Sequence, residues 1–129
     1  MTDGNWIFDQ AIRLMDEQDA VSGETRNSDT GEFRLRTLGI LNVLRHELYP
    51  YSMTFEAGRI CPEITSFDQP LDLDDVLAQT VMPYGLAAHL LLGDNNVLAS
   101  FFQQRYGELL YGLGCRRMAQ WETIETQEV

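Results

Sequence analysis

The segment from Asp72 to Leu92 restricts the fold most, because it predicts a helix that is apolar on nearly its whole circumference. Its main stripe, at the three-and-four spacing of a buried face, contains Leu73, Val76, Leu77, Val81, Tyr84, Ala87, Ala88 and Leu91. Met82, Leu86 and Leu90 lie on the opposite side of the same helix. Helices of this kind are enclosed on both sides. The second covering layer has to come from a neighbouring subunit or from the first helix of the chain.

Two further features divide the C-terminal half of the chain. Pro83 predicts a kink near Gln79 to Pro83, because proline removes a helical hydrogen bond. A turn at residues 93–96 precedes a fourth helix, whose predicted apolar face consists of Leu98, Phe101, Phe102, Tyr106, Leu109 and Leu113. Gly112 and Gly114 predict the end of this helix. The tail is therefore expected to be extended from residue 115 to residue 129.

The N-terminal half predicts two amphipathic helices. The first begins at a cap provided by Asn5 and ends near Ala20, and the second begins near Asp29 and ends before Pro50. The connection over residues 51–71 is expected to be a long loop or a short β-hairpin. The predicted fold is therefore mainly α: a four-helix, bundle-like single domain over residues 1–114, followed by an extended C-terminal arm over residues 115–129.

The charge of the chain argues against nucleic-acid binding. The sequence has 20 acidic and 9 basic residues and a net charge of −11, and such a field repels phosphate backbones. No apolar run approaches the roughly 20 residues of a membrane span, and the N-terminus lacks the features of a signal peptide. We therefore expect an intracellular protein with no membrane association and no specific nucleic-acid binding.

Residues with catalytic potential are few. His46, His89, Cys61 and Cys115 are the only histidines and cysteines, and they could form a nucleophile pair or a metal site if the fold joined them. The phosphate-binding, zinc-protease and serine-hydrolase motifs are absent from the sequence. We therefore expect no enzyme activity and no cofactor.

The acidic residues Asp72, Asp74 and Asp75 could indicate a calcium loop. Such a loop needs a glutamate at its twelfth position, and the count from Asp72 or Asp74 reaches Pro83 or Gly85. Capping of the helix start is the better interpretation of these carboxylates. No metal site is predicted.

Six residues are predicted to form an interface with other subunits or partners: Met82, Leu86, Leu90, Arg105, Trp121 and Ile124. The first three supply the surplus apolar surface described above. Arg105 falls within the predicted apolar face of the fourth helix, where its guanidinium needs a carboxylate from its own chain or from a neighbour. Trp121 and Ile124 are costly to leave in water, so the arm that carries them is expected to dock on its own domain or on a partner.

Two segments together resemble small helical head–tail connector, or adaptor, proteins of tailed bacteriophages and prophages. They are LRTLGILNVLRHELYPYS (Leu35 to Ser52) and CPEITSFDQPLDLDDVLAQTVMPYGLAAHLLLGDNNVLASFFQQRY (Cys61 to Tyr106). The resemblance implies a structural subunit that forms a homo-oligomeric ring below the portal and contacts portal and tail proteins. It also implies a protein made in the bacterial cytoplasm and assembled into the virion.

The acidic composition supports an alternative hypothesis. An acidic binding module or inhibitor would use its carboxylates to occupy a basic site on another protein. Such a protein would form a salt-sensitive complex with a basic partner and would show no affinity for a portal.

Overall fold

Helices and connecting loops make up the part of the chain that the computed structural model describes, namely the backbone of residues 1–127 and the side chains of residues 1–115. Its α-helices are α1 (Gly4–Met15), α2 (Gly31–Leu48), α3 (Asp75–Thr80), α4 (Met82–Leu91) and α5 (Asn96–Gln127). No strand forms in this part of the chain; one isolated bridge pairs Asp3 with Pro70. The mainly α, bundle-like fold is therefore confirmed, and the connection between α2 and α3 is a loop and not a hairpin.

Helix α1 is flanked by an aspartate at each end, Asp3 before it and Asp16 after it. The Asp3 carboxylate accepts a hydrogen bond from the backbone N–H of Trp6 at 3.0 Å, so Asp3, and not Asn5, is the N-cap. Asn5 instead donates to Asp68 and accepts from Arg34, both at 2.7 Å. The helix ends at Met15, before the predicted Ala20, because Asp16 adopts a left-handed conformation with φ of 57°.

Helix α2 is flanked by two short 3₁₀ turns. Asn27 caps the turn Ser28–Thr30, which leads directly into α2, and the turn Tyr49–Tyr51 follows it. Pro50 lies in that second turn, where its lack of an N–H group does not break a helical hydrogen bond. The predicted end of this helix before Pro50 is confirmed.

The helix predicted as one kinked element is two helices, α3 and α4. The Asp74 carboxylate accepts from the N–H of Leu77 at 3.0 Å and caps α3, so the predicted cap at Asp72 is wrong by two residues. Val81 separates the two helices, and Pro83 then lies in the first turn of α4. Proline is favoured there because the first N–H groups of a helix have no intrahelical acceptor.

Helix α4 is the central element, and helices α1, α2, α3 and α5 all pack against it. Its side chains are buried except Tyr84, which is partly exposed, and His89, which is exposed. The predicted enclosure of this helix on both sides is therefore confirmed. The cover comes from the chain itself, with α1 contributing a large part of it, so the need for a neighbouring subunit does not arise here.

Helix α5 packs on α4 through Ala99, Phe102 and Tyr106, which are buried. The apolar face predicted from the sequence is rotated about the helix axis relative to this buried face. Phe102 and Tyr106 belong to both, but the predicted members Leu98 and Phe101 are exposed. Gly85 allows the close approach of α4 and α5, because a Cβ atom there would lie 2.8 Å from the ring of Tyr106. The tyrosine hydroxyl donates to Glu47 at 3.0 Å, and burial together with this carboxylate raises the pKa of Tyr106.

The predicted extended arm over residues 115–129 is wrong as far as Gln127, because α5 continues to that residue. Gly112 and Gly114 each disfavour a helix by about 1 kcal/mol. The sequence after them is rich in arginine, methionine, alanine, glutamine and glutamate, which favour a helix. Two glycines within such a sequence weaken the helix without ending it.

Arg45 of α2 is almost completely buried and fixes the loop between α2 and α3. Its Nε donates to the carbonyl oxygen of Leu71 at 2.8 Å, and its Nη1 donates to that of Pro62 at 2.6 Å and to Asn42 Oδ1 at 3.3 Å. Asn42 also exchanges two hydrogen bonds with the backbone of Ile64. The loop is thereby held against α2 by buried polar contacts.

None of the helices within residues 1–127 has both the length and the apolar composition that crossing a membrane requires.

Candidate interaction surface

The residues with catalytic potential are not joined to one another by hydrogen bonds among the described side chains. His46 and His89 are exposed on α2 and α4, and Cys61 is buried in the loop after α2. No hydrogen bond joins any two of these three side chains, and no cluster of three or more His, Cys, Asp or Glu residues suited to a metal ion occurs in the described part of the chain. An enzyme built on these residues therefore gains no support from their contacts.

The aspartates at the start of α3 have partners within the protein. Arg59 donates to Asp72 at 2.7 Å, and Asp74 caps α3. Asp75 accepts from both the hydroxyl and the backbone N–H of Thr2, at 2.8 and 2.9 Å, and these two hydrogen bonds lower the pKa of Asp75. The carboxylates thus attach the N-terminal residues and the loop to α3.

One surface differs in charge from the rest of this acidic protein. Two shallow depressions lie on either side of His89 and share that residue. The first, between α2 and α4, is lined by Leu35, Arg36, Gly39, Ile40, Val43 and His89. The second, between α4 and α5, is lined by Ala88, His89, Leu92, Asn96, Ala99, Ser100, Gln103 and Gln104. No aspartate or glutamate lines either depression, and we call this set of residues the acid-free face.

The acid-free face arises because three helices lie side by side and the residues that line it are apolar, uncharged polar or basic, and none is acidic. Leu35, Gly39 and Val43 lie four residues apart and form an exposed stripe along α2. The side chains of Leu35 and Val43 are 87% and 60% exposed. Full burial of a leucine or valine side chain is worth about 1.5–3 kcal/mol. Covering this surface therefore lowers the free energy of the system and favours association.

The small residues of the face give it the shape of a helix-packing surface. No atom lies within 4 Å of the position that a Cβ atom of Gly39 would take. Three small residues, Ala88, Ala99 and Ser100, line the second depression. Valleys between helices accept the side-chain ridges of a further helix. The face is thus suited to contact with another helical surface.

A second uncharged surface lies at the other end of α5. Its lining residues are Pro50, Tyr51, Ser52, Met53, Gly107, Leu110, Tyr111, Leu113, Gly114 and Cys115, and we call it the C-terminal groove. Tyr51, Met53 and Tyr111 are exposed. Cys115 is also exposed, and the nearby thiol raises the pKa of Tyr111. This groove is apolar and has no charged residue in its lining.

The structure corrects the predicted interface at Met82, Leu86 and Leu90. Each of these side chains is 0% exposed within the single chain, so none of them is available to a partner. The sequence pattern showed an apolar surface on two sides of the helix, and the other helices of the same chain cover both of them. Those residues belong to the core.

The other three predicted interface residues have different outcomes. Arg105 lies outside the apolar face of α5 and pairs with Glu108 on the surface at 3.5 Å, an exposed pair that contributes little to stability. Trp121 and Ile124 lie beyond the described side chains, so their role stays a prediction. The analysis of the sequence missed Leu35, Gly39 and Val43, although their spacing of four residues was visible on a predicted helix.

Comparisons of the chain with protein-family models, with curated proteins and with solved structures each give no match. The resemblance to head–tail connectors therefore depends on the sequence pattern, and function has to be argued from the surfaces of the molecule.

Proposed function

We propose that this protein is a non-enzymatic assembly subunit that associates with further copies of itself through the acid-free face. Its specific role, in this proposal, is that of a head–tail connector subunit of a tailed phage or prophage. It would form a ring at the portal and contact portal and tail proteins there. The observation that carries the proposal is an apolar face without carboxylates on a chain with a net charge of −11.

Electrostatics favours self-association through this face over other parts of the surface. Copies with a charge of −11 repel one another. That repulsion is strongest where carboxylates come within the Debye length, about 8 Å at physiological ionic strength. When two copies meet through the acid-free face, the residues that line it place no carboxylate opposite another carboxylate. The distribution of charge thus makes the acid-free face a surface on which copies can meet without opposing carboxylates.

The location of the face within the sequence supports the connector role. Every residue that lines it lies within the two segments that resemble connector proteins, Leu35 to Ser52 and Cys61 to Tyr106. A ring of such acidic subunits would repel passing DNA and would keep it from adhering. The gene neighbourhood tests this part of the proposal, because a connector gene should lie beside portal, capsid and tail genes.

Substitution of Gly39 by glutamate is expected to weaken self-association roughly tenfold or more. The introduced carboxylate would have to leave water and fit into the contact, which costs free energy, and each 1.4 kcal/mol corresponds to a factor of ten. The monomer has open space at this position, and the loss of a helix glycine favours folding. Sedimentation velocity over a concentration series measures the association, and circular dichroism checks the fold.

Gly31→Glu is the matched control, because Gly31 also has open space around it, lies on the same helix and does not line the face. Equal association of the two variants would contradict the assignment of the interface. A wild-type chain that stays monomeric but forms a salt-sensitive complex with a basic protein would support the acidic binding module instead.

A further inference from the structure

Helix α5 is much longer than the helix that packs along it. Its 32 residues span about 48 Å, whereas the 10 residues of α4 span about 15 Å. Leu113 is the last buried residue of α5 among the described side chains. The helix continues to Gln127, about 21 Å further along its axis.

Residues 116–127, which we call the helical arm, need a packing surface if they are to be stably helical. The arm continues a helix that has already formed, and each residue added to an existing helix gains little stability in water, because most helical stability in proteins comes from packing of an apolar face. Gly112 and Gly114 lie at the root of the arm and weaken it further. Intrinsic preference alone therefore does not account for a stable helix in this segment.

The C-terminal groove has the position and composition of a partner surface for such an arm. It runs along α5 from Gly107 to Cys115, where the arm begins. Because α5 is continuous through Cys115, its own arm follows the helix axis beyond the groove. A return of the arm into the same groove would require a break in the helix. The groove of one copy is thus open to the arm of another.

We propose that the helical arm of one copy packs into the C-terminal groove of a neighbouring copy, an inference that rests on the proposed self-association. The arm carries Met118, Trp121 and Ile124 at a spacing of three residues, which is typical of an apolar side of a helix. The groove exposes Tyr51, Met53 and Tyr111, and no carboxylate in its lining repels the glutamates of the arm. Affinity comes from apolar burial on both sides.

This contact joins two different surfaces, so its symmetry differs from that of a simple dimer. A contact of arm to groove is head-to-tail, and head-to-tail contacts form a ring when the rotation between copies closes. Each copy donates one arm and receives one. The inference therefore supplies a means by which copies that meet through the acid-free face extend into a closed assembly.

Gly107→Phe tests the groove. Gly107 lines the groove with open space around it, so a phenyl ring fits the single chain and fills the site of the arm. We expect this variant to lose the larger assemblies and to keep the smaller ones in sedimentation velocity. Gly112→Phe, on the same helix with equal open space and outside the groove lining, should assemble like the wild type.

Cross-linking between differently tagged full-length chains tests the exchange directly. One chain carries Thr123→Cys and Cys115→Ser, and the other keeps Cys115, an exposed thiol in the groove. We expect a bismaleimide reagent to join the introduced cysteine of the first chain to Cys115 of the second, giving a product that carries both tags. This product should be lost when the second chain also carries Gly107→Phe. Absence of the cross-link, or its persistence with the filled groove, would overturn the inference.

The two proposals fail in different ways. If Gly39→Glu disrupts assembly while Gly107→Phe assembles normally and no cross-link forms, arm exchange is wrong and self-association through the acid-free face stands. If the filled groove blocks assembly and Gly39→Glu does not, arm exchange stands and the acid-free face is not the interface. If neither variant changes the assembly, both proposals are wrong.

Discussion

Leu86→Asp is expected to unfold the protein and not merely to separate its subunits. Leu86 is 0% exposed on the central helix α4. Burial of an unpaired carboxylate costs several kcal/mol, and the lost apolar packing adds to that. The sum is a large part of the 5–15 kcal/mol that stabilises a domain. Thermal and urea denaturation followed by circular dichroism measure this loss.

Leu92→Asp is the matched control for this variant. Leu92 lies directly after α4, is exposed and lines the acid-free face. The same substitution there should leave a folded chain with weaker self-association. A folded Leu86→Asp variant whose subunits dissociate would show that α4 is not enclosed by its own chain, contrary to the structure.

Arg45→Met is expected to lower the free energy of unfolding by about 3 kcal/mol, because it leaves buried acceptors without their donor. The acceptors that lose their donor are the carbonyl oxygens of Leu71 and Pro62, whereas the side-chain oxygen of Asn42 keeps its hydrogen bond from the N–H of Ile64. Methionine fills a similar volume, so the loss of hydrogen bonds dominates the change. Urea denaturation measures the free energy, and limited proteolysis should detect release of the loop between α2 and α3.

Arg13→Met provides the comparison for Arg45→Met, because Arg13 is exposed on α1. Its effect should stay within about 0.5 kcal/mol, as is usual for surface substitutions. Similar stabilities of the two variants would contradict the role of Arg45 as the anchor of the loop.

The sequence predicted those features of the helices that depend on residues close in the chain, namely buried stripes, helix starts and helix breaks. The leucines Leu41, Leu44 and Leu48 form a buried stripe of α2, as their spacing indicated. The aspartates before α3 marked a helix start, and Pro83 marked an interruption, which is a full break at Val81. Caps and proline effects act over a few residues, so the sequence contains them.

Features that depend on packing between distant segments were not predicted. The aromatic residues of α5 fit two adjacent stripes, and contact with α4 selects the stripe of Ala99, Phe102 and Tyr106. Arg45 lies in the same stripe as Leu41 and Leu48, so its burial had a signal in the sequence. Which carbonyl groups it binds depends on the course of the loop.

Three of the residues predicted for the interface, Met82, Leu86 and Leu90, lie in the core for the same reason. A two-sided apolar helix shows that Met82 and Leu90 need cover, but it does not show which segment supplies that cover. The acid-free face becomes visible only when α2, α4 and α5 lie side by side and the carboxylates point elsewhere.

Sedimentation of the wild-type chain over a wide range of concentrations tests the assembly function most directly. The proposed ring predicts that the average mass rises with concentration beyond that of a dimer at physiological ionic strength. A single species with the mass of one chain at every concentration would contradict it.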